Sequence, residues 1–386
     1  MNHSSDFCVL NTCTSEVDNS FIFYDVFRRI DNKIFAIGPY YSIHPVAPIL
    51  IIENNETIIG KLIDDNQHYT LLYSFDIDPK YQSIENLLVT LKYNNYVFDL
   101  SLIKPEIHNY EYSLTSIMKN EYVFLPEWLS HHKHMGVDHI YLYDNKTDDQ
   151  ERLIDILNPY LDIITFIRWD FPFVVYNHVS NPRPLDDNNY CQYSQITHSL
   201  YKYGLDNKWI NNLDLDEFLV SYTHSNIKDI MRSLFDSNYN NISCLHIRWV
   251  WFGSNNLDDY LDIPNRQKPL VKKGDKSILE TFYRRDKNCI NNMYISGKLI
   301  SNPNNVIFGA IHCTHQVKTP LSIIDPNILH INHYQMNSTN KDFNDTIDTR
   351  IIELKYNVPT LTNELADKIF YNNDKSVWLN QNRLVL

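Results

Sequence analysis

Glycine is scarce, with eight residues in a chain of 386. An enzyme that activates sugars with nucleotides usually opens on a Gly-rich phosphate loop bearing Arg and Lys, because glycines let backbone amides approach the phosphates. No such loop can be read here, and the first strand end carries Lys119-Asn120-Glu121 instead. Paired cysteines are also missing. Cys8, Cys13, Cys191, Cys244, Cys289 and Cys313 form no CxxC pair, which excludes a legible zinc site and a dense disulfide scaffold, with only Cys8 and Cys13 near enough in sequence to bond. A basic excess is missing too: 34 Lys and Arg stand against 47 Asp and Glu, a formal charge of −13 that argues against a phosphate-backbone partner. Two short basic clusters, Lys272-Lys273-Gly274-Asp275-Lys276 and Arg284-Arg285-Asp286-Lys287, read as solvated faces or as local diphosphate contacts. Finally, no long apolar run exists. The longest, at 46–52, contains Pro48 and cannot span a bilayer, and the polar residues 1–20 resemble neither a signal peptide nor an anchor, so a soluble, cytoplasmic protein is expected.

What is present is core-forming material. Hydrophobic residues make up 43% of the chain and aromatics 13%, including 27 Tyr and 18 Phe, and the length suits two domains. After a flexible stretch at 1–20, strand-forming runs at 21–26, 33–37, 48–53, 57–62, 69–75, 86–93 and 96–100 alternate with turns such as Asp31-Asn32 and Asn94-Asn95. This spacing predicts an all-β, sandwich-like domain over 21–104, followed by a linker around Pro105. The texture then changes. A helix is expected at 125–135, with Pro126 in its first turn and Gly136 beyond its end, then a strand at 137–143, a helix at 149–157, a strand at 163–169, a helix at 191–203 and a strand at 209–220. Alternation of this kind predicts an α/β domain with a mostly parallel, doubly wound sheet over 113–340, whose ligands bind at the carboxyl ends of the strands. Helical spacing at 343–355 and 361–371 predicts C-terminal helices and a tail over 341–386, covering one side of the domain or joining a homo-oligomer.

The centre of the chain is Trp209-Ile210-Asn211-Asn212-Leu213-Asp214-Leu215-Asp216-Glu217-Phe218. Read as one strand, it places Asp214 and Asp216 on the same face. Two close carboxylates repel unless a cation neutralises them, and hard oxygen ligands select magnesium, manganese or calcium; a solvated strand end is the plainer alternative. Asn120, Glu121, Asp144 and Asn145 fall at two further strand ends of the same edge. Gln192 and Gln195 lie one helical turn apart and face either a sugar-phosphate or solvent. Trp249-Val250-Trp251-Phe252 offers aromatic surface for stacking a sugar ring, or a core contribution.

These motifs, taken in order, resemble a known family. Lys119-Asn120-Glu121, Leu125-Pro126-Glu127-Trp128-Leu129, His132, Gly136-Val137-Asp138-His139-Ile140-Tyr141-Leu142-Tyr143-Asp144-Asn145 and Asp148 resemble the opening of the glycosyltransferase family 92 domain. Asp214-Leu215-Asp216-Glu217-Phe218 resembles its Asp-x-Asp-Glu-Phe motif, Gly297-Lys298-Leu299-Ile300-Ser301-Asn302-Pro303 with His312 its Lys, Pro and His block, and His333-Tyr334 its closing pair. The family was formerly a domain of unknown function, has the GT-A (Rossmann-like) fold and is related to family 2-like enzymes. The resemblance implies a metal-dependent glycosyltransferase. The sugar, galactose on family grounds, would pass from a UDP-sugar to a glycan or other hydroxyl acceptor with inversion. It further implies Mn2+ or Mg2+ on Asp214, Asp216, His312 and His333, and a donor held by Asn120, Glu121, Asp144, Asn145, Gln192, Asp214 and Lys298. The acceptor would lie on Trp249 and Trp251, with Asp258 and Asp259 as candidates for the catalytic base. Two departures stand out: animal members carry a membrane anchor, and Thr346 stands where the family has Lys. A non-catalytic carbohydrate-binding scaffold is the alternative, against which the intact Asp214, Asp216 and Glu217 argue.

Overall fold

The computed structural model describes residues 7–40, 46–53, 56–63, 69–121, 124–175, 189–221, 224–236, 242–252, 284–286, 297–312, 314–319, 321–326, 328–334 and 351–353. The architecture is mixed α/β and rich in strands. In the N-terminal part, Asp25–Arg29, Lys33–Pro39, Thr70–Asp76 and Lys61–Ile63 form one four-stranded antiparallel sheet. Ile49–Ile52, Glu56–Ile59, Asn86–Tyr93 and Tyr96–Ile103 form a second. Asn32 and Asn94 take positive φ in the expected hairpin turns, a conformation Asn tolerates better than most residues. Val26, Ile34, Tyr73 and Phe75 of the first sheet share one core with Leu50, Leu87, Val89 and Leu102 of the second.

Beyond Pro105 the elements alternate. They are β1 (Tyr110–Met118), α1 (Leu125–His134), β2 (His139–Asp144), α2 (Gln150–Leu157), β3 (Ile164–Arg168), α3 (Cys191–Lys202), β4 (Asn207–Asn212), β5 (Glu217–Val220), α4 (Ile227–Asp236), β6 (Cys244–Phe252), β7 (Gly297–Ser301) and β8 (His330–Tyr334). Strands β3, β2, β1 and β4 are parallel neighbours in that order, as the alternation predicts. β7 then pairs antiparallel to both β4 and β6. The second half of β6 leaves β7 to run parallel with β8, and β8 pairs antiparallel with β5. β5 thus joins the sheet only through β8, off the main strand order, among the described residues.

Local sequence explains the helix limits. α1 has Pro126 in its first turn, Glu127 near its positive end, His131, His132, Lys133 and His134 in its last turn, and Gly136 at φ +80° beyond it. Asp149 caps α2 by accepting from the Arg152 N–H.

Three expectations change. The run 209–220 is two strands, β4 and β5, separated by a turn. The 1–20 stretch is tied down where it is described: Phe7–Cys8 pair in parallel with β3, and Asn11 bonds to Asp25 and Val26. Ile351–Glu353, expected within a helix, pair as a strand with Arg284–Asp286; the rest of the C-terminal helices and tail at 341–386 lie outside the described residues. Cys8 and Cys13 are both free thiols. Among the described residues, no helix is long and apolar enough to cross a membrane.

The N-terminal sheets pack on the α/β part through α3. Phe27, Phe35, Ile37 and Leu72 form a cluster with Phe308 and Tyr201, and Tyr24 packs with Tyr141, Tyr143 and Trp169. At the centre of this contact Asp25 is fully buried, accepting from His198 Nε2 at 2.9 Å and Lys202 Nζ at 2.8 Å, while the Tyr143 hydroxyl lies 2.7 Å from His198 Nδ1.

Candidate active site

β4 ends at Asn212, beside Thr115 of β1. The Leu213 N–H still bonds to the Thr115 carbonyl, and the chain then turns: the Glu217 N–H donates to the Asp214 carbonyl at 3.1 Å, while the Glu217 carboxyl accepts from the Asp214 N–H at 2.8 Å. Leu213 and Leu215 stay in the core, and Asp214 and Asp216 are left partly exposed on the turn. The alternation of Asp and Leu that reads as a strand is therefore a turn braced by the third acidic residue.

β5 needs support, because β8 pairs with only one of its edges. α1 supplies it on the other. Trp128 Nε1 donates to the Glu217 carbonyl at 2.9 Å, His131 Nε2 lies 2.8 Å from the Leu219 carbonyl, and the Leu219 N–H donates to His132 Nε2. Accepting at Nε2 leaves His132 Nδ1 to donate to the Trp128 carbonyl, which fixes a neutral tautomer. Burial pushes the His132 pKa far down, in agreement. The i, i+3, i+4 spacing of Trp128, His131 and His132 was the available signal for this support.

Around the turn, Lys298 of β7 is wholly buried and donates to Asp214 Oδ2 at 2.7 Å, with Glu217 Oε2 at 3.8 Å. Gln192 of α3 donates to Asp214 Oδ1 at 3.1 Å. Burial alone would lower the Lys298 pKa, but Asp214 and Glu217 outweigh it and the ammonium is stabilised. Burial likewise opposes ionisation of Asp214, and Lys298 reverses that, holding the carboxyl below its ordinary range. Glu217 goes the other way. It is fully buried, Oε1 has no hydrogen-bond partner among the described residues, and burial, only partly offset by Lys298, pushes its pKa up to about 8.

His333 of β8 faces Asp216, with Nε2 3.6 Å from Oδ2. Its burial works against the imidazolium, but Asp216 more than compensates and the pKa rises. The buried Trp249 ring of β6 lies 4.6 Å from His333 and 5.2 Å from His312, and Lys298 sits 5.9 Å from its centre. Desolvation, then the Lys298 charge, push His312 down to about 4.

The expected site residues thus fall into groups. Asp214, Asp216, Gln192, Lys298, Trp249, His312 and His333 gather around the turn. Asn120, at φ +58°, donates from Nδ2 to the Asp148 carboxylate and accepts at Oδ1 from the Asp148 N–H, and Asp144 accepts from the Thr147 N–H and Gln150 Nε2. Asn145 donates to the carbonyls of Trp169 and Phe171. These three brace the rim of the strand ends, and Glu121 is buried beside them. Asp258 and Asp259, and the side chain of Trp251, lie outside the described residues.

Among the described residues no group of three or more His, Cys, Asp and Glu side chains is arranged around a common metal position. Asp216 and His333 nonetheless suit one. They offer a hard carboxylate oxygen and an imidazole in close approach, and a hydrated divalent ion needs only one or two protein ligands when phosphate oxygens complete its shell. Asp214 is held by Lys298 and Gln192.

Residues 110–374 match the profile of glycosyltransferase family 92. A family 92 protein from Ricinus communis is 22% identical over 175 residues, 42% of this chain and 29% of the relative, and another match to a Ricinus communis protein of that description is 26% identical over 116 residues, 30% of this chain and 17% of the relative. The chain therefore spans less than a third of the length of these relatives. Among solved structures it is similar to S. aureus TarS 1–349, at TM-score 0.26 and 12% identity over 50% of this chain and 47% of that one. It is also similar to the iron-containing dodecameric glycosyltransferase TibC from enterotoxigenic E. coli, at TM-score 0.13 and 13% identity over 43% of this chain and 38% of that one. Scores this low carry no argument about the fold. The family profile covers more than half of the chain, and with the Asp214-Leu215-Asp216-Glu217-Phe218 turn at its centre the chain belongs to glycosyltransferase family 92, a family of glycosyltransferase enzymes.

Proposed function

We propose that the chain is a GT-A glycosyltransferase that moves a sugar from a nucleotide-sugar to a hydroxyl of a glycan or other acceptor. The observation that carries the reading is the braced turn at 214–217, which presents two carboxylates beside Lys298, His333 and Trp249 at the carboxyl end of a parallel sheet. The parallel order β3, β2, β1, β4, continued by antiparallel β7, supports the GT-A arrangement, and the two N-terminal sheets with a common core support a sandwich-like unit at 21–104. A UDP-sugar is the proposed donor, galactose the proposed sugar, and Mn2+ or Mg2+ the proposed cation, all from the family resemblance.

Asp216 and His333 would hold the cation. A cation held there would supply positive charge against the negative charge that grows on the departing diphosphate. Lys298 keeps Asp214 ionised, and Lys298 and Gln192 fix its two oxygens, so that the carboxylate is oriented before donor arrives. The rim braced by Asn120, Asp144 and Asn145 is the proposed seat of the nucleoside, and Trp249, packed on both histidines, the inner wall toward the acceptor. In the transfer step an acceptor oxygen bonds to the anomeric carbon as the bond to the diphosphate oxygen breaks. The hydroxyl proton passes to a carboxylate, for which Asp258 and Asp259 are proposed, and attack opposite the leaving group inverts the configuration.

Calorimetric titration with UDP-galactose tests this. Wild type should bind in manganese and lose binding in chelator, and Asp216→Asn should lose about tenfold or more in affinity while remaining folded. Equal affinity of the variant and wild type in manganese would remove Asp216 from the site.

A further inference from the structure

Asn212 is the last residue of β4, two positions before Asp214. It is 8% exposed, and among the described residues neither its Oδ1 nor its Nδ2 has a hydrogen-bond partner. A buried amide with both ends unmet is uncommon, since such groups normally find a protein partner or a bound molecule.

The direction of its side chain follows from its neighbours. Side chains alternate along a strand, so Asn212 shares a face with Ile210, and Ile210 packs in one cluster with Ile196 and Leu200 of α3. Asn212 therefore faces α3, two residues further toward the carboxyl end of the sheet. On α3, Gln192 lies one turn nearer the N-terminus than Ile196, and Gln195 immediately precedes Ile196. Thr115, the β1 residue beside Asn212, accepts from Gln195 Nε2 at 2.7 Å, which places Gln195 at this level of the sheet. Gln195 is itself fully buried, and its Oε1 has no partner among the described residues. Gln192 donates to Asp214. One donor and two acceptors are thus left unmet between α3 and the end of β4, next to the acidic turn.

We infer that Asn212 and Gln195 form a polyhydroxyl subsite, in which the unmet amide groups take the hydroxyls of a sugar ring. The subsite rests on the donor reading given above. Adjacent hydroxyls are shared by the ribose of the nucleotide and by the transferred sugar, and the amide offers each pair what it needs: a donor and an acceptor on one planar group. This also accounts for a polar side chain kept next to Ile210, the preceding position on that face, which is buried and apolar. A group that is solvated only when substrate is bound weakens the fold and strengthens binding.

The test uses the full chain and Asn212→Leu, a change that keeps the branching at Cγ and removes both polar ends. Affinities for UDP and for UDP-galactose in manganese are measured by calorimetry, and thermal stability is measured without ligand. The expected result is a loss of about tenfold or more in affinity together with a melting temperature equal to or above that of wild type. A loss for both probes assigns the ribose, and a loss for UDP-galactose alone assigns the transferred sugar. Unchanged affinity for both overturns the inference. If wild type binds neither probe, the donor reading is what fails, and stability decides the subsite: a lower melting temperature for Asn212→Leu means that a structural water or a protein contact satisfies the amide, and overturns it, whereas an equal or higher one retains an unmet polar subsite. Gln195→Met provides the second variant should Asn212→Leu not fold, with the same outcomes.

Discussion

Neutralising Asp25 should loosen the N-terminal sheets from α3. Its carboxylate lies at zero exposure between Lys202 Nζ and His198 Nε2, and Oδ1 also accepts from the Asn11 N–H at 2.8 Å. Asp25→Asn leaves the mostly buried Lys202 ammonium without its counter-charge, a loss worth about 3–5 kcal/mol for a broken buried pair. If the chain melts as one unit, an unfolding entropy of about 2.1 cal/mol/K per residue gives about 0.8 kcal/mol/K for 386 residues, so the melting temperature should fall by about 4–6 °C. Adding Lys202→Met should restore most of the loss, because an apolar side chain of similar length needs no counter-charge.

The same cluster sets an acid limit. Burial, against the pull of Asp25, pushes the His198 pKa down to about 4 from an ordinary 6.5. Between those values the unfolded chain takes a proton that the folded chain refuses, so stability falls as pH drops, by about 3 kcal/mol in all for a shift of about 2.5 units. Asp25 acts at lower pH. Burial opposes its ionisation, but Lys202 and His198 hold its folded pKa below the ordinary carboxylate value. The stabilisation it gives is present above that value and is lost as pH falls toward the folded pKa. Urea unfolding followed by tryptophan fluorescence between pH 4.5 and 8 reads the His198 effect and the cost of Asp25→Asn; the loss from protonating Asp25 itself lies below that range. A cost for Asp25→Asn below about 1 kcal/mol, the range of exposed pairs, would refute the argument that this pair holds the two parts together.

Three further outcomes follow from the acidic turn. Lys298→Met leaves the Asp214 carboxylate without its cation and should lower stability in urea unfolding; it should cost far less in an Asp214→Asn background. Glu217→Gln should leave stability at pH 7 within about 1 kcal/mol, because burial already favours the uncharged carboxyl and the amide oxygen still accepts from the Asp214 N–H. A large loss would mean that Glu217 is ionised. Manganese affinity should rise with pH across the neutral range. Asp216 raises the His333 pKa against the effect of burial, and the imidazole must lose that proton to bind metal, so a pH-independent affinity would exclude His333 as a ligand.

The sequence by itself determined what depends on neighbours along the chain. Proline and histidine placement at the ends of α1, the Asp149 cap of α2, the Asn turns of the N-terminal hairpins and the alternation of strand and helix beyond Pro105 are local signals, and the elements follow them closely. The acidic run at 214–217 was likewise legible as a cluster of carboxylates at a strand end. Its shape was not, because Asp-Leu-Asp between strand formers has the period of a strand. The turn is decided by groups far away: β8 pairs one edge of β5, α1 reaches the other with Trp128, His131 and His132, and Lys298, 84 residues on, holds Asp214. The joining of the N-terminal sheets to α3 has the same origin, since Asp25 and Lys202 are 177 residues apart. Contacts across such separations leave no periodicity to read. They are selected by burial, where a charge or an amide must find a partner and only the folded chain determines which one lies within reach.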